Sequence, residues 1–171
     1  MPKIIENIRE QLMAEAKAQI SDHGYKNTTI RSVAAGCNIA VGTVYNYFKS
    51  KEILIASFIL QDWLEVVRAI SEYPKESRKD YLEYIHHSLI KFENSYSSLF
   101  SDKDAKTVFS SVFSERHTLL RTQLAKLVLP ICRGDDMFLA EYVSEALLTW
   151  TMAGKSFESI YNLLPEQIKD Y

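Results

Sequence analysis

Glycine and proline are scarce, five and four in 171 residues. Few tight turns are available, so long helices are favoured over a strand-and-turn fold. No strand-period alternation of useful length appears, and no internal repeat or low-complexity stretch. The two cysteines, Cys37 and Cys132, lie far apart. A disulfide framework is therefore not supported, and a reducing cytoplasm is expected. No run of 18 apolar residues exists, which argues against a membrane span. The first residues, MPKIIENIRE, are charged and amphipathic and lack a signal-peptide layout. Phosphate-cradling loops, nucleophile elbows and paired catalytic acids are missing, so neither an enzyme nor a cofactor is expected.

What is present is ordinary for a globular protein: 47% apolar and 25% charged residues. The net charge of −2 hides an asymmetry. Residues 1–51 hold seven Lys/Arg against four Asp/Glu, whereas residues 52–171 hold thirteen against eighteen. A basic module on an acidic body fits a nucleic-acid partner, because affinity follows the local field.

The apolar spacing predicts helices throughout. Ile5, Ile8, Leu12, Ala16 and Ile20 form one stripe, and Gly24 is the expected stop. Thr28 or Thr29 caps a second helix whose inner face is Ile30, Val33 and Ala34. Asn38 suits the following turn, since Asn tolerates left-handed backbone. A third helix spans about Ala40–Phe48, and Ser50 caps a long fourth one carrying Ile53, Leu54, Phe58, Leu64 and Val67. A break at Tyr73–Ser77 precedes a helix over about Arg78–Ser95, and Ser97-Ser98 and Ser101-Asp102 mark another break. Val108, Val112, Leu119, Leu120, Leu124, Leu127 and Val128 belong to one or two helices ending before Pro130. After a loop at 133–136 comes a helix over about Met137–Ala153, apolar on more than one side, then a short segment from Phe157 to Leu164.

The stretch TTIRSVAAGCNIAVGTVYNYFKSKEIL, Thr28–Leu54, carries the functional signal. Its aromatic cluster closed by two lysines serves no core, but tyrosine hydroxyls and ammonium groups are good phosphate partners. The pattern Thr29-Ile30, Val33-Ala34, Gly42-Thr43-Val44-Tyr45-Asn46-Tyr47-Phe48 and Lys49-Ser50-Lys51-Glu52-Ile53-Leu54 resembles the TetR/AcrR family of bacterial transcriptional regulators, over about residues 5–55.

The resemblance implies an all-α fold. A three-helix helix-turn-helix DNA-binding domain occupies residues 1–50, and a helical ligand-binding and dimerisation domain occupies 51–171. It also implies a homodimeric repressor on a palindromic operator in double-stranded DNA, released by a small-molecule effector, in the cytoplasm. In such a motif one helix enters the major groove while the helix before it crosses the backbone. By position, Val41, Gly42 and Thr43 reach base edges. Tyr45, Asn46 and Tyr47 come next, mainly at phosphate, and Thr28, Thr29, Arg31 and Lys51 clamp phosphate. Val44 and Phe48 face the small core. Three departures stand out: Asn38 stands in the turn where the family usually has Gly, Ala40 sits where it usually has a capping Ser or Thr, and Val41 occupies a site that is often basic. Direct reading then rests on thymine methyls met by Val41 or Thr43, and on Asn46 pairing with adenine.

The implied dimer seam is the doubly apolar helix with the segment after it: Ala140, Val143, Leu147, Trp150, Phe157, Ile160, Tyr161 and Leu164. The implied effector cavity draws on Trp63, Tyr84, His87, Phe92, Tyr96, Phe109, Phe113 and Trp150, with an apolar or amphipathic ligand favoured. The alternative is a DNA-bound interaction module whose C-terminal body docks a protein. Glu83, His86 and His87 share one helix face, but a metal needs more convergent ligands, so a solvated face is expected there. Cys37, beside the turn, is expected to be a small buried residue rather than a redox-sensitive thiol.

Overall fold

A computed structural model describes residues 7–169, with the side chains of residues 107–118 left aside. Ile5, Val108 and Val112, assigned above to helix faces, fall outside the residues or side chains so described. Eight α-helices follow in order among the described residues: α1 Ile8–Asn27, α2 Ile30–Gly36, α3 Val41–Tyr47, α4 Lys51–Glu72, α5 Arg78–Ser101, α6 Lys103–Val128, α7 Met137–Met152 and α8 Phe157–Leu163. Short 3-10 turns at Leu129–Ile131 and Arg133–Asp135 join α6 to α7.

The residues fall into two compact units. The first runs through Asp62 and adds the α5–α6 elbow, Ser97–Ser110. Leu12, Ala16, Val33, Val44, Phe48, Leu54, Ile55 and Leu99 are buried in it. Gly24, at φ 78°, breaks α1 where a stop was expected, and Tyr25 beyond it turns inward. Thr29 caps α2 in a reciprocal pair with Ser32. Asn38 takes the turn at φ 54°, as its side chain allows. Ser50 caps α4 by accepting the Ile53 N–H at 3.3 Å. Gly36 lies so close to α1 that an added Cβ would stand 2.1 Å from Glu15 Oε1.

The expected break at Ser97-Ser98 is absent: α5 continues to Ser101. Ser95 and Ser101 donate their hydroxyls to the carbonyls of Lys91 and Ser97, four residues back, so these serines are carried inside the helix. The turn falls at Asp102 instead, whose carboxylate caps α6 through the Ala105 N–H.

The second unit, Trp63–Tyr96 with Ser111–Tyr171, has its own core. Ile70, Tyr81, Leu82, Ile85, Leu89, Val128, Ala140, Val143, Leu147 and Ile168 are its fully enclosed members. The Tyr81 hydroxyl donates to the Leu127 carbonyl at 2.8 Å. His86 is buried, with Nδ1 2.8 Å from Thr151 Oγ1, which corrects the expectation of a solvated Glu83/His86/His87 face; only His87 is exposed.

The residues expected at a seam on α7 and α8 lie mostly inside the unit. Ala140, Val143, Leu147, Phe157, Ile160 and Leu164 are at most 5% exposed, and Trp150 and Tyr161 pack partly buried against them. Those side chains are spent on the unit's own core. The exposed large apolar residues of these helices are Met137, Phe138 (80% exposed), Tyr142, Met152 and Leu163.

Candidate nucleic-acid interface

The reading face is built by α2, the turn and α3. Val44 points inward and is fully buried, and Phe48 closes the end of α3 beneath the Arg9 guanidinium, 5.3 Å from its ring centroid. With those two positions pinned, the 3.6-residue period turns Gly42, Tyr45 and Asn46 outward, with Val41 and Thr43 half-buried beside them. Tyr45 and Tyr47 are nearly half exposed, although each carries a large apolar ring. Ala40 offers α3 no side-chain cap, as expected of alanine.

An open groove of about 540 Å³ runs beside this face. Thr29, Arg31, Val41, Tyr45, Lys49, Ser50 and Lys51 are among its lining residues. Arg31 and Lys49 are exposed there. Lys49 was missing from the expected contacts because a lysine just past a helix end carries no periodic signal.

Two expected phosphate contacts are engaged elsewhere. Thr28 is 1% exposed, and its hydroxyl donates to the Gly24 carbonyl at 3.0 Å. It closes the end of α1 rather than facing a phosphate. Lys51 points back: its Nζ donates to the Tyr25 carbonyl at 2.9 Å and sits 3.6 Å from the Tyr25 ring centroid. Burial lowers the Lys51 pKa, while Glu52, Asp102 and Asp104 pull the other way. The Tyr25 hydroxyl donates to Glu52 at 3.1 Å. Burial and that carboxylate push the Tyr25 phenol up to about 12. For Glu52, burial raises the pKa, but hydrogen bonds from Ser50, its own backbone and Tyr25, with the Lys51 charge, bring it below its usual value. Cys37 is half-buried, and its thiol is pushed up by burial and by Glu15, so it stays protonated.

The residues expected at an effector cavity separate in the second unit. Trp63 meets Phe92 edge-on at 5.4 Å, and Phe92 meets Tyr96 at 5.3 Å. The Trp63 indole N–H donates to Gln123 Oε1 at 2.7 Å, a partner no sequence signal marked. Tyr84 instead stacks on Tyr73 at 3.9 Å, His87 is exposed, and Trp150 packs against the core. Phe109 and Phe113 lie outside the described side chains.

A short two-helix motif with one helix pinned from behind and polar and aromatic groups turned out has the geometry of a helix-turn-helix. Residues 12–58 match the family "Bacterial regulatory proteins, tetR family". The chain is 35% identical over 54 residues to the HTH-type transcriptional regulator UidR of Escherichia coli, which covers 32% of this chain and 28% of that protein. It is 37% identical over 57 residues to the HTH-type transcriptional repressor KstR2 of Mycolicibacterium smegmatis, covering 33% and 27%. The chain thus spans under a third of the length of these curated relatives. The whole fold is similar to that of a TetR-like transcriptional regulator from Rhodococcus (TM-score 0.52, 22% identity, 95% and 94% of the two chains). It is similar also to a regulator of this family from Aquifex aeolicus (TM-score 0.55, 15% identity, 91% and 94%). Residues 12–58 are thus similar to the N-terminal domain of TetR-family regulators, and the chain shares its all-helical fold with solved regulators of that kind.

Proposed function

We propose that the protein is a homodimeric repressor that reads a two-fold operator and leaves it when a small molecule binds. The observation that carries this reading is the open α3 face, with Gly42, Tyr45, Asn46 and Tyr47 exposed and Val41 and Thr43 half-buried among them, beside the Arg31 and Lys49 groove. Arg31, Lys49 and the tyrosine hydroxyls hold phosphate and set the register. Val41 and the Thr43 methyl meet thymine methyls, and Asn46 pairs with adenine, since α3 itself carries no Arg or Lys for bidentate guanine contact. Gly42 lets the backbone approach the DNA.

One such head reads only a few base pairs, so a second copy supplies the other half-site. Phe138, Tyr142, Met152 and Leu163 on the outer faces of α7 and α8 form the seam. The effector is apolar or amphipathic and lodges by the Trp63–Phe92–Tyr96 aromatic run, where Gln123 offers a polar anchor. By linkage it favours the conformation in which the paired heads no longer match the operator spacing.

The test is footprinting on the DNA flanking the protein's own gene, followed by binding with and without candidate ligands. Two protected half-sites about 10 base pairs apart, or a multiple of that, are expected. Asn46→Ala should cost about 1–3 kcal/mol at one adenine and little elsewhere. Essential guanines under α3 that ignore Val41, Thr43 and Asn46 substitution would overturn the reading mode.

A further inference from the structure

The cations of the first unit divide by what holds them. Residues 1–51 carry seven Lys/Arg, and six fall among the described residues: Arg9, Lys17, Lys26, Arg31, Lys49 and Lys51. Lys17 is ion-paired with Asp62. Lys51 is turned back onto Tyr25. Lys26 sits in the last turn of α1, where a cation suits the negative end of the helix dipole. Arg31 and Lys49 line the groove beside α3. Among the described residues, Arg9 is left with neither a carboxylate partner nor a place in that groove.

The position of Arg9 does not favour the fold. It is the second residue of α1, at the positive end of the helix dipole, where a cation costs stability and an acid is preferred. Glu10 supplies that acid, but residues one apart do not face each other on a helix. Met13, one turn on, does meet Arg9: Nη1 lies 3.7 Å from its Sδ. The guanidinium also stands 5.3 Å from the centroid of the Phe48 ring. A thioether and a ring orient it and leave its charge uncancelled. Arg9 is exposed, so the charge is open to an approaching anion.

Phe48 ends α3 and is 1% exposed. Its contact with Arg9 ties the first turn of α1 to the C-terminal end of the reading helix. α3 has seven residues, about 10 Å at 1.5 Å per residue, and the major groove is about 12 Å wide. With α3 seated there, phosphates of the groove walls stand within side-chain reach of both helix ends. We propose that Arg9 is a further phosphate-binding cation of the reading head, supplied by α1 and aimed by Phe48. The inference rests on the DNA-reading proposal above and adds a contact from outside the helix-turn-helix. Arginine suits the role, because its planar fork stacks on a ring and keeps donors for phosphate oxygens.

The test is anisotropy of a labelled duplex with the full chain across a salt series. Arg9→Met keeps an unbranched chain on the Phe48 ring and removes the charge. It should lower the slope of log affinity against log salt by about 0.9 per head. A fourfold rise in salt should then shrink its affinity deficit about 3.5-fold per head. Arg9→Gln, polar and equally uncharged, is the second neutral variant and should give the same slope. Arg9→Lys keeps the charge and should keep the slope. Lys155→Gln, the same loss of charge at an exposed site in the second unit, should leave the slope at the wild-type value. Thermal midpoints of the four variants should lie close to wild type, because both sites are exposed. A slope unchanged in both neutral variants, or lowered as much in Arg9→Lys or Lys155→Gln, overturns the proposal. If the wild-type chain binds no duplex at all, the DNA-reading proposal itself falls, and this contact with it.

Discussion

Lys49 and Lys51 are two residues apart on the same groove, yet they should respond to substitution in different ways. Lys49 is exposed, whereas Lys51 is half-buried, with its ammonium on the Tyr25 carbonyl and over the Tyr25 ring. A partly desolvated cation over an aromatic ring contributes about 0.5–2 kcal/mol. A hydrogen bond from a charged donor adds a comparable amount, and half of the site remains wet. Lys51→Gln should therefore destabilise the fold by about 1–2 kcal/mol, or about 2–8 °C in a chain of this size. Lys49→Gln should stay within about 0.5 kcal/mol of wild type. DNA binding should show the reverse. Each phosphate neutralised contributes about 0.9 to the slope of log affinity against log salt. Lys49→Gln should lower that slope by about 0.9 per head, and Lys51→Gln by less than half as much. Anisotropy of a labelled duplex across a salt series gives the slopes, and thermal melts give the stabilities. Any duplex serves, because this part of the binding is independent of sequence. If Lys51→Gln melts with wild type and flattens the salt slope as much as Lys49→Gln, the tie to Tyr25 does not exist in solution.

Thr28→Val should cost about 1–2 kcal/mol by denaturant unfolding, because the Gly24 carbonyl loses its donor, and should leave the salt slope intact. A weaker DNA complex with unchanged stability would return Thr28 to the phosphate contacts. Phe138→Lys should give a monomer by light scattering with an unchanged melting point, whereas Leu147→Ala should lose about 2–5 kcal/mol of stability, since Leu147 is fully enclosed. The reverse pattern would restore the buried set as the seam. Burial pushes the phenols of Tyr25 and Tyr81 from 10.0 up to about 12. Both folded values lie above the unfolded one, so the neutral phenols contribute stability that is whole below pH 10 and lost as pH rises from 10 to 12. Denaturant midpoints that stay flat across that window would contradict the burial. His86 has the opposite sign: burial and His87 lower its pKa against Glu83, so stability is present above its ordinary pKa of 6.5 and falls as acid protonates it. His86→Gln should remove that acid sensitivity.

Particular residues show where sequence reasoning reached and where it stopped. Gly24, Thr29, Asn38 and Ser50 act through their own backbone and nearest neighbours, so their roles as stop, cap and turn were readable from identity and position. The face of α2 was readable as well, from Ile30, Val33 and Ala34 at the helical period, and that of α3 followed from the family resemblance. Ser97-Ser98 misled because serine is a turn former in general, yet a hydroxyl that bonds four residues back leaves the helix whole. Thr28 and Lys51 misled because a hydroxyl or ammonium has several possible partners. Gly24 lies four residues from Thr28, but Tyr25 lies 26 residues from Lys51.

The same division runs through the second unit. An apolar stripe shows that a helix face is covered and is silent on whether the cover is the same chain or another copy. Ala140, Val143 and Leu147 met their own chain, which left Phe138 and Tyr142 outside. Trp63 and Gln123, 60 residues apart, became partners only through packing. By itself the sequence determined the helices, the turn and the outward face of the reading head, because these depend on local dihedral preference and periodicity. Tertiary structure alone decided which cation faces the groove and which apolar residues of α7 and α8 stay exposed. Those outcomes depend on distances between residues far apart in the chain, which no local preference encodes.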